Sequence, residues 1–377
     1  MKSFEYGDWE IGLKEIGFAV SAMVIGVGLL SLPRDVDLVT YVADGWISIL
    51  IGGAAAALFA YICAKLASRF PKQTFYTYAS RLVPKPIALG ITVILICHFL
   101  FICIYEVRVI SDVAKLYIFF KTPVEIISLI FLLVVVYAVR GQSVGILRLN
   151  MMFLPIILFI VLFVYTLSVN TFDINNLLPF FVTPPLNLLK GAQKAYLSFA
   201  GFEIVLFYIS FMNKPDKAPR AVVIGMLFPI VLALLIFIFS IAVFSVTTRE
   251  ILYPTIEMAK EIFADIGFFE RIEAVFFTIW IMTIYNTAAM AFDVAVIATK
   301  SIYPKLKKMH YVLIFTPLIY LVAMIPQSYD AIEKYGRVLN ISCLVFESII
   351  PTVLLFTSIV RRIKGENKKD KTLPKEA

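Results

Sequence analysis

Three carboxylates, Glu203, Asp293 and Glu347, stand in stretches of sequence that are otherwise apolar. A charge in hydrocarbon is costly, so such a group faces an interior cavity or a partner, where it can hold a proton, a cation or an amine. His98 and Glu106 lie eight residues apart in another apolar run, a spacing that puts both on roughly one face of a helix. Arg108 is two residues from Glu106 and does not face it. A structural hydrogen bond or an interhelical ion pair is the plain alternative for each. Two glycine-bearing segments accompany these groups: residues 25–33 read IGVGLLSLP and residues 198–203 read SFAGFE. A helix in lipid must satisfy its own main chain, so glycines and a helix-stopping proline belong where the backbone lines a cavity. At corresponding places in two halves of a polytopic chain they point to a transporter-type binding site.

The chemistry such breaks offer follows from helix ends. A half-helix ending near Ile25 exposes carbonyls, which suit an ammonium or a cation. One beginning near Gly28 and Leu29 exposes amides and a positive dipole end, which suit a carboxylate. Phe199 and Phe202 flank Gly201 at the second break, where they can close the pocket or contact an apolar side chain. The alternative is close packing of small residues between helices. No group of residues has the pattern of a catalytic triad, a paired-carboxylate hydrolase or a metal site, and His98 and His310 are the only histidines. The expectation is no enzyme activity, no cofactor and no metal. Cys63, Cys97, Cys103 and Cys343 all lie in apolar stretches and read as packing thiols.

The elements that must hold these groups are membrane spans. The 377 residues are 61% hydrophobic and only 16% charged, against about a quarter charged in soluble domains; mean hydropathy is +0.91. Ten spans are expected, at about 11–32, 44–68, 86–118, 124–139, 149–169, 187–212, 221–246, 266–300, 311–327 and 338–362. The net charge of +8 reflects Lys and Arg in alternate loops, so it indicates topology rather than nucleic-acid binding. Lys65, Arg69, Arg140, Lys214, Lys300 and the tail all follow even-numbered spans, which predicts both termini in the cytoplasm. The acidic first ten residues are the wrong flank for a signal peptide. Residues 72–82 and 254–264 read as surface helices. Ten spans divide into a 5+5 inverted repeat, about 11–169 and 187–362, with helices 1 and 6 broken. Residues 1–10 and 364–377 form the cytoplasmic N-terminus and a basic tail.

Several short motifs, spread over nearly the whole chain, carry a resemblance. They are IGVGLLSLP at 25–33, KTP at 121–123, GILRLN at 145–150, NNLLP at 175–179, SFAGFE at 198–203, and ERIE at 270–273 with Trp280. In order and spacing they resemble the spore-germination permease-like family, the B subunits of spore germinant receptors, within the amino acid/polyamine/organocation (APC) transporter superfamily. The resemblance implies an all-α, LeuT/APC-like integral membrane protein in the inner membrane of bacterial spores. It implies a sensor of a small germinant, such as an amino acid, that signals by conformational shift to an A subunit and a lipoprotein C subunit. Carried over by motif, the ligand site uses Gly26, Val27, Gly28 and Leu29 with Phe199, Ala200, Gly201, Phe202 and Glu203; Tyr105, Tyr285, Asn286 and Thr287 join by depth. Arg148 and Arg271 match family positions at span ends and read as anchors or inter-subunit contacts. Val27 stands where the family often has a hydroxyl residue, so alanine-like specificity is not implied. The alternative function is a proton-coupled amino acid permease, weakened by the lack of a lysine in span five, where some proton-coupled relatives use one. A scaffold that binds nothing is the third reading.

Overall fold

The computed structural model describes residues 10–264 and 272–365. Six helices are long and apolar enough to cross a bilayer, two further pairs pass as bent spans, and two apolar helices of 16 residues, Val124–Val139 and Lys308–Ala323, bring the total to ten. The expected number of spans is therefore present. The two expected surface helices are Phe75–Leu82 and Pro254–Ala264. The tail beyond residue 365, residues 1–9, and the 270–271 part of the ERIE motif with Arg271 lie outside the described residues.

The breaks fall in the first and sixth spans. Helix Leu13–Val24 stops, and Val27–Asp37 resumes at 52° to it. Helix Pro185–Ser198 stops, and Phe202–Phe211 resumes at 46°. Pro33 is not the stop expected from the sequence; the helix runs through it to Asp37. The reason lies in the hydrogen bond a proline removes. An internal proline leaves the carbonyl four residues earlier without its helical donor, and here other helices supply one. Thr255 donates to the Leu29 carbonyl opposite Pro33, at 3.4 Å. Ser21 donates to the Gly225 carbonyl opposite Pro229, at 2.7 Å. The Cys63 thiol reaches the Glu347 carbonyl opposite Pro351, at 3.5 Å. Each proline thereby becomes an interhelical contact rather than a kink left open.

Span boundaries differ from the sequence expectation mainly at the fifth and tenth. The fifth starts at Ser143, six residues early, and the tenth runs Tyr329–Val360. That tenth span is α-helical except for a π-helical stretch, Leu344–Ile349, which contains Glu347 and ends just before Pro351. Such stretches arise where the helical ladder is locally disturbed and often mark functional positions. The third span, Lys85–Tyr117, has 33 residues and is about 50 Å long at 1.5 Å per residue. That exceeds a hydrocarbon thickness of about 30 Å, so the helix must tilt. Its length lets one helix pass both breaks.

The end of the bundle that carries Lys65, Arg69 and Lys72 is sealed. The Ile11 amide donates to the Phe211 carbonyl at 3.0 Å, and the Asn213 amide donates to the Ile11 carbonyl at 3.1 Å. Asp293 on the eighth span, Ile272–Ile302, pairs with Lys308 at 2.6 Å and accepts from Ser143 and from Tyr208. The interhelical ion pair was the plain alternative for this residue, and the structure holds it there. At the opposite end, Asp44 lies in the loop before the second span, Gly45–Ser68. It accepts from the amides of Phe181, Val182 and Thr183 at 2.6, 2.7 and 2.8 Å. Burial opposes its ionisation, but these amides outweigh that and hold its carboxyl below the usual range.

Candidate functional site

The two breaks pack against each other, and glycine is what allows it. A Cβ on Gly28 would stand 2.8 Å from the Ser198 carbonyl oxygen, so any side chain there would force the spans apart. Gly201 has φ +113°, a conformation that L side chains rarely adopt, and a Cβ on it would meet Met23 Cγ at 2.8 Å. The first break thus sits on Ser198, and the second on Met23. Thr287, from the eighth span, donates toward the Ala22 and Met23 carbonyls at 3.3 Å each and meets part of the demand left by the end of the first half-helix.

A cavity of about 220 Å³ lies over this crossing. Its deep wall includes Gly26, Val27, Gly28, Ala200, Gly201, Tyr105, Glu106 and Thr287, and toward the acidic end it runs past Lys194, Arg34 and Asp35. Tyr329, Glu333 and Arg337, all exposed, line its mouth. The cavity therefore opens away from the sealed basic end. Seven of the residues expected at a ligand site line it: Gly26, Val27, Gly28, Tyr105, Ala200, Gly201 and Thr287. Leu29, Phe199, Phe202 and Asn286 are buried in the packing off its wall, and Glu203 lies behind the second break. Tyr285 instead lines a separate apolar cavity of about 670 Å³ with Ile110, Phe131 and Phe153.

The eight-residue spacing of His98 and Glu106 acquires its meaning here. The third span lays Glu106 against the first break and His98 against the second. Glu106 stands at the start of the second half-helix, its Oε1 3.1 Å from where a Cβ on Gly26 would be. The carboxylate at the dipole-positive start of the second half-helix is thus one the protein supplies. The sequence assigns that place to a ligand carboxylate; the structure sets Glu106, an acid the sequence also singles out, beside it. His98 Nε2 is 2.9 Å from Glu203 Oε1, and Nδ1 is 2.9 Å from Ser342 on the tenth span. Glu347, from that same span, accepts from the Gly201 amide at 2.8 Å. Each break therefore has a buried glutamate beside it, and at the second that glutamate accepts from an exposed amide. Among the described residues no group of three or more His, Cys, Asp or Glu side chains is placed to hold a metal ion.

Comparison with known proteins agrees with this architecture. A family model described as spore germination protein matches residues 10–332. Spore germination protein GerLB of Bacillus cereus is 42% identical, covering 97% of this chain and 99% of its own. Spore germination protein YndE of Bacillus subtilis is 31% identical, covering 91% and 94%. Among solved structures, Mhp1, a nucleobase-cation-symport-1 family transporter in a closed conformation with bromovinylhydantoin bound, superposes with a TM-score of 0.71 at 15% identity, over 95% of this chain and 80% of its own. MhsT in complex with L-phenylalanine gives 0.60 at 12%, over 93% and 98%. At those identities the likeness is one of fold, and it is the LeuT/APC-like fold with broken first and sixth helices. The chain is a multi-pass membrane protein that belongs to the spore germination protein family.

Proposed function

We propose that the chain is the germinant-sensing membrane subunit of a spore germinant receptor, with its ligand bound in the cavity between the two breaks. The observation that carries this reading is the cavity itself: a small hollow, half polar in its lining, whose floor is made of main chain from both broken spans. The ligand is a small amino acid. Its ammonium group meets Glu106, and its carboxylate meets the Lys194 and Arg34 side of the wall. Because Glu106 already stands beside Gly26 at the helix start, that start does not bind the ligand carboxylate directly; the acid beside it binds the amine. Val27 narrows the floor and favours a compact side chain. Both termini lie in the cytoplasm, so the cavity opens on the opposite side. Binding shifts a pre-existing conformational equilibrium that an A subunit and a lipoprotein C subunit read.

The test is a thermal-shift screen of the purified full chain against amino acids, nucleosides and sugars. A ligand specific to the folded state at a hundred times its Kd adds about 2.7 kcal/mol of stability. Amino acids should shift the midpoint, and Glu106→Gln should weaken that binding about tenfold to a hundredfold, by the loss of a charge-assisted hydrogen bond. A panel in which only nucleosides or sugars shift the midpoint, or none does, refutes the ligand class. Transport coupled to protons is the second reading, favoured by the buried His98–Glu203 contact; substrate accumulation in proteoliposomes under a pH gradient decides it.

A further inference from the structure

The cluster behind the second break does not touch the cavity, and the ligand reading makes no use of it. His98, Glu203 and Glu347 are wholly or almost wholly buried. Their hydrogen bonds form one chain from the third span through the sixth to the tenth. At one end Ser342 donates to the Leu339 carbonyl at 2.8 Å, so its oxygen is left to accept from His98 Nδ1–H at 2.9 Å. His98 Nε2 and Glu203 Oε1, 2.9 Å apart, then need a proton between them. At the other end Glu347 Oε1 accepts from the Gly201 amide. The two glutamates are in side-chain contact with each other, and Oε2 of each is buried with no donor of its own. Two carboxylate oxygens cannot bond without a proton between them, and two bare charges in one buried site cannot both persist. The other titratable groups facing the pair are the Cys63 and Cys343 thiols and the Tyr196 hydroxyl. They are neutral groups, and none supplies a counter-charge.

We infer that Glu203 and Glu347 share a proton and, with His98, form a net-neutral proton-binding site that holds the second break closed. The site links three spans through one exposed amide. Any movement that draws Gly201 away from Glu347 breaks the chain at the point where the proton is shared. Loss of that proton would place two like charges beside the Gly201 amide and push the break open, so the conformational equilibrium is proton-linked whatever the ligand.

The experiment is infrared spectroscopy of the full chain in lipid nanodiscs, in H2O and D2O, for the wild type, Glu203→Gln and Glu347→Gln. The wild type at neutral pH should show a protonated-carboxyl C=O band that shifts on deuteration. Either single substitution should remove that band, because the remaining acid then accepts from the new amide and no longer needs the proton. A band absent from the wild type overturns the inference. So does a band removed by only one substitution, which would mean a proton owned by one glutamate rather than shared. Should a variant fail to fold, titration of the wild-type band decides. Its loss on alkalinisation should coincide with a fall in the thermal unfolding midpoint, and loss with no change in stability refutes the role at the break.

Discussion

Substitution of Gly201 by alanine separates two costs that the structure assigns to one position. The first is conformational: φ +113° is held by glycine, and a side chain there costs about 1–3 kcal/mol. The second is steric. The new Cβ would lie 2.8 Å from Met23 Cγ and 3.3 Å from Met23 Cε, an overpacking of about 1–3 kcal/mol in a tight interior. Gly201→Ala is therefore expected to destabilise the chain by about 2–6 kcal/mol. Met23 is itself buried at 2% exposure, so Met23→Ala alone costs about 2–5 kcal/mol. The double variant keeps the conformational cost and loses the clash, so its destabilisation should fall short of the sum by about 1–3 kcal/mol. Unfolding of the four proteins in a mild detergent, followed by far-ultraviolet circular dichroism, measures this. Strict additivity would mean that Gly201 does not rest on Met23, and the packing of one break on the other, which positions the cavity floor, would be wrong.

The sealed end yields a second double-variant test. Removing one partner of a buried ion pair costs about 3–5 kcal/mol, but Lys308 is 21% exposed and can turn to water, so Asp293→Asn should cost about 1–3 kcal/mol; Lys308→Met should add little on top of it, and full additivity in thermal unfolding would refute the pairing. Asp44 predicts a pH response at the opposite end. Because its folded-state pKa is depressed, its contribution is fully present above the ordinary value of 3.8 and lost as pH falls through the folded value. In Asp44→Asn that acid-side loss should shrink, with stability at neutral pH lowered by about 1–3 kcal/mol, and an unchanged acid limb in the unfolding profile would exclude the role.

What could be read from the sequence was what depends on local spacing. The breaks were legible because glycines, Gly26 and Gly28 in one run and Gly201 in the other, interrupt apolar runs at corresponding places in the two halves. The paired orientation of His98 and Glu106 was legible because eight residues is about 2.2 helical turns, which leaves both on one broad face. What could not be read was which spans meet. Nothing local says that Glu347 reaches Gly201, or that Glu106 stands beside Gly26. Both are contacts between helices far apart in the chain, set by tertiary packing. Pro33 misled for a related reason. Locally it is a helix breaker, and only the Thr255 hydroxyl from a distant segment makes its vacated carbonyl tolerable. The family motif implies Glu203 at the ligand site; the turn at Gly201 directs its side chain toward His98.

On the proposed reading, the second half of the sixth span is what couples a bound ligand to the rest of the bundle. Residues 202–211 begin at the cavity floor and end at the seal. On the way, Glu203 meets His98, the Leu206 carbonyl accepts from Tyr78 at 3.2 Å, Tyr208 donates to Asp293 at 3.1 Å, and the Phe211 carbonyl accepts from Ile11. Ten residues of helix span only about 15–20 Å, so a ligand that shifts Gly201 acts on the same rigid segment that closes the opposite end. Turning a closed population into an open one takes about 5.5 kcal/mol of differential affinity. Hydrogen bonds of this kind contribute about 0.5–1.5 kcal/mol each, and more where a charge is involved. The seal is therefore worth a few kcal/mol in this segment, the same order as a well-paired ammonium and carboxylate can supply at the floor. A ligand need not break a strong lock; it has only to favour, by a comparable amount, the arrangement in which those few bonds are exchanged.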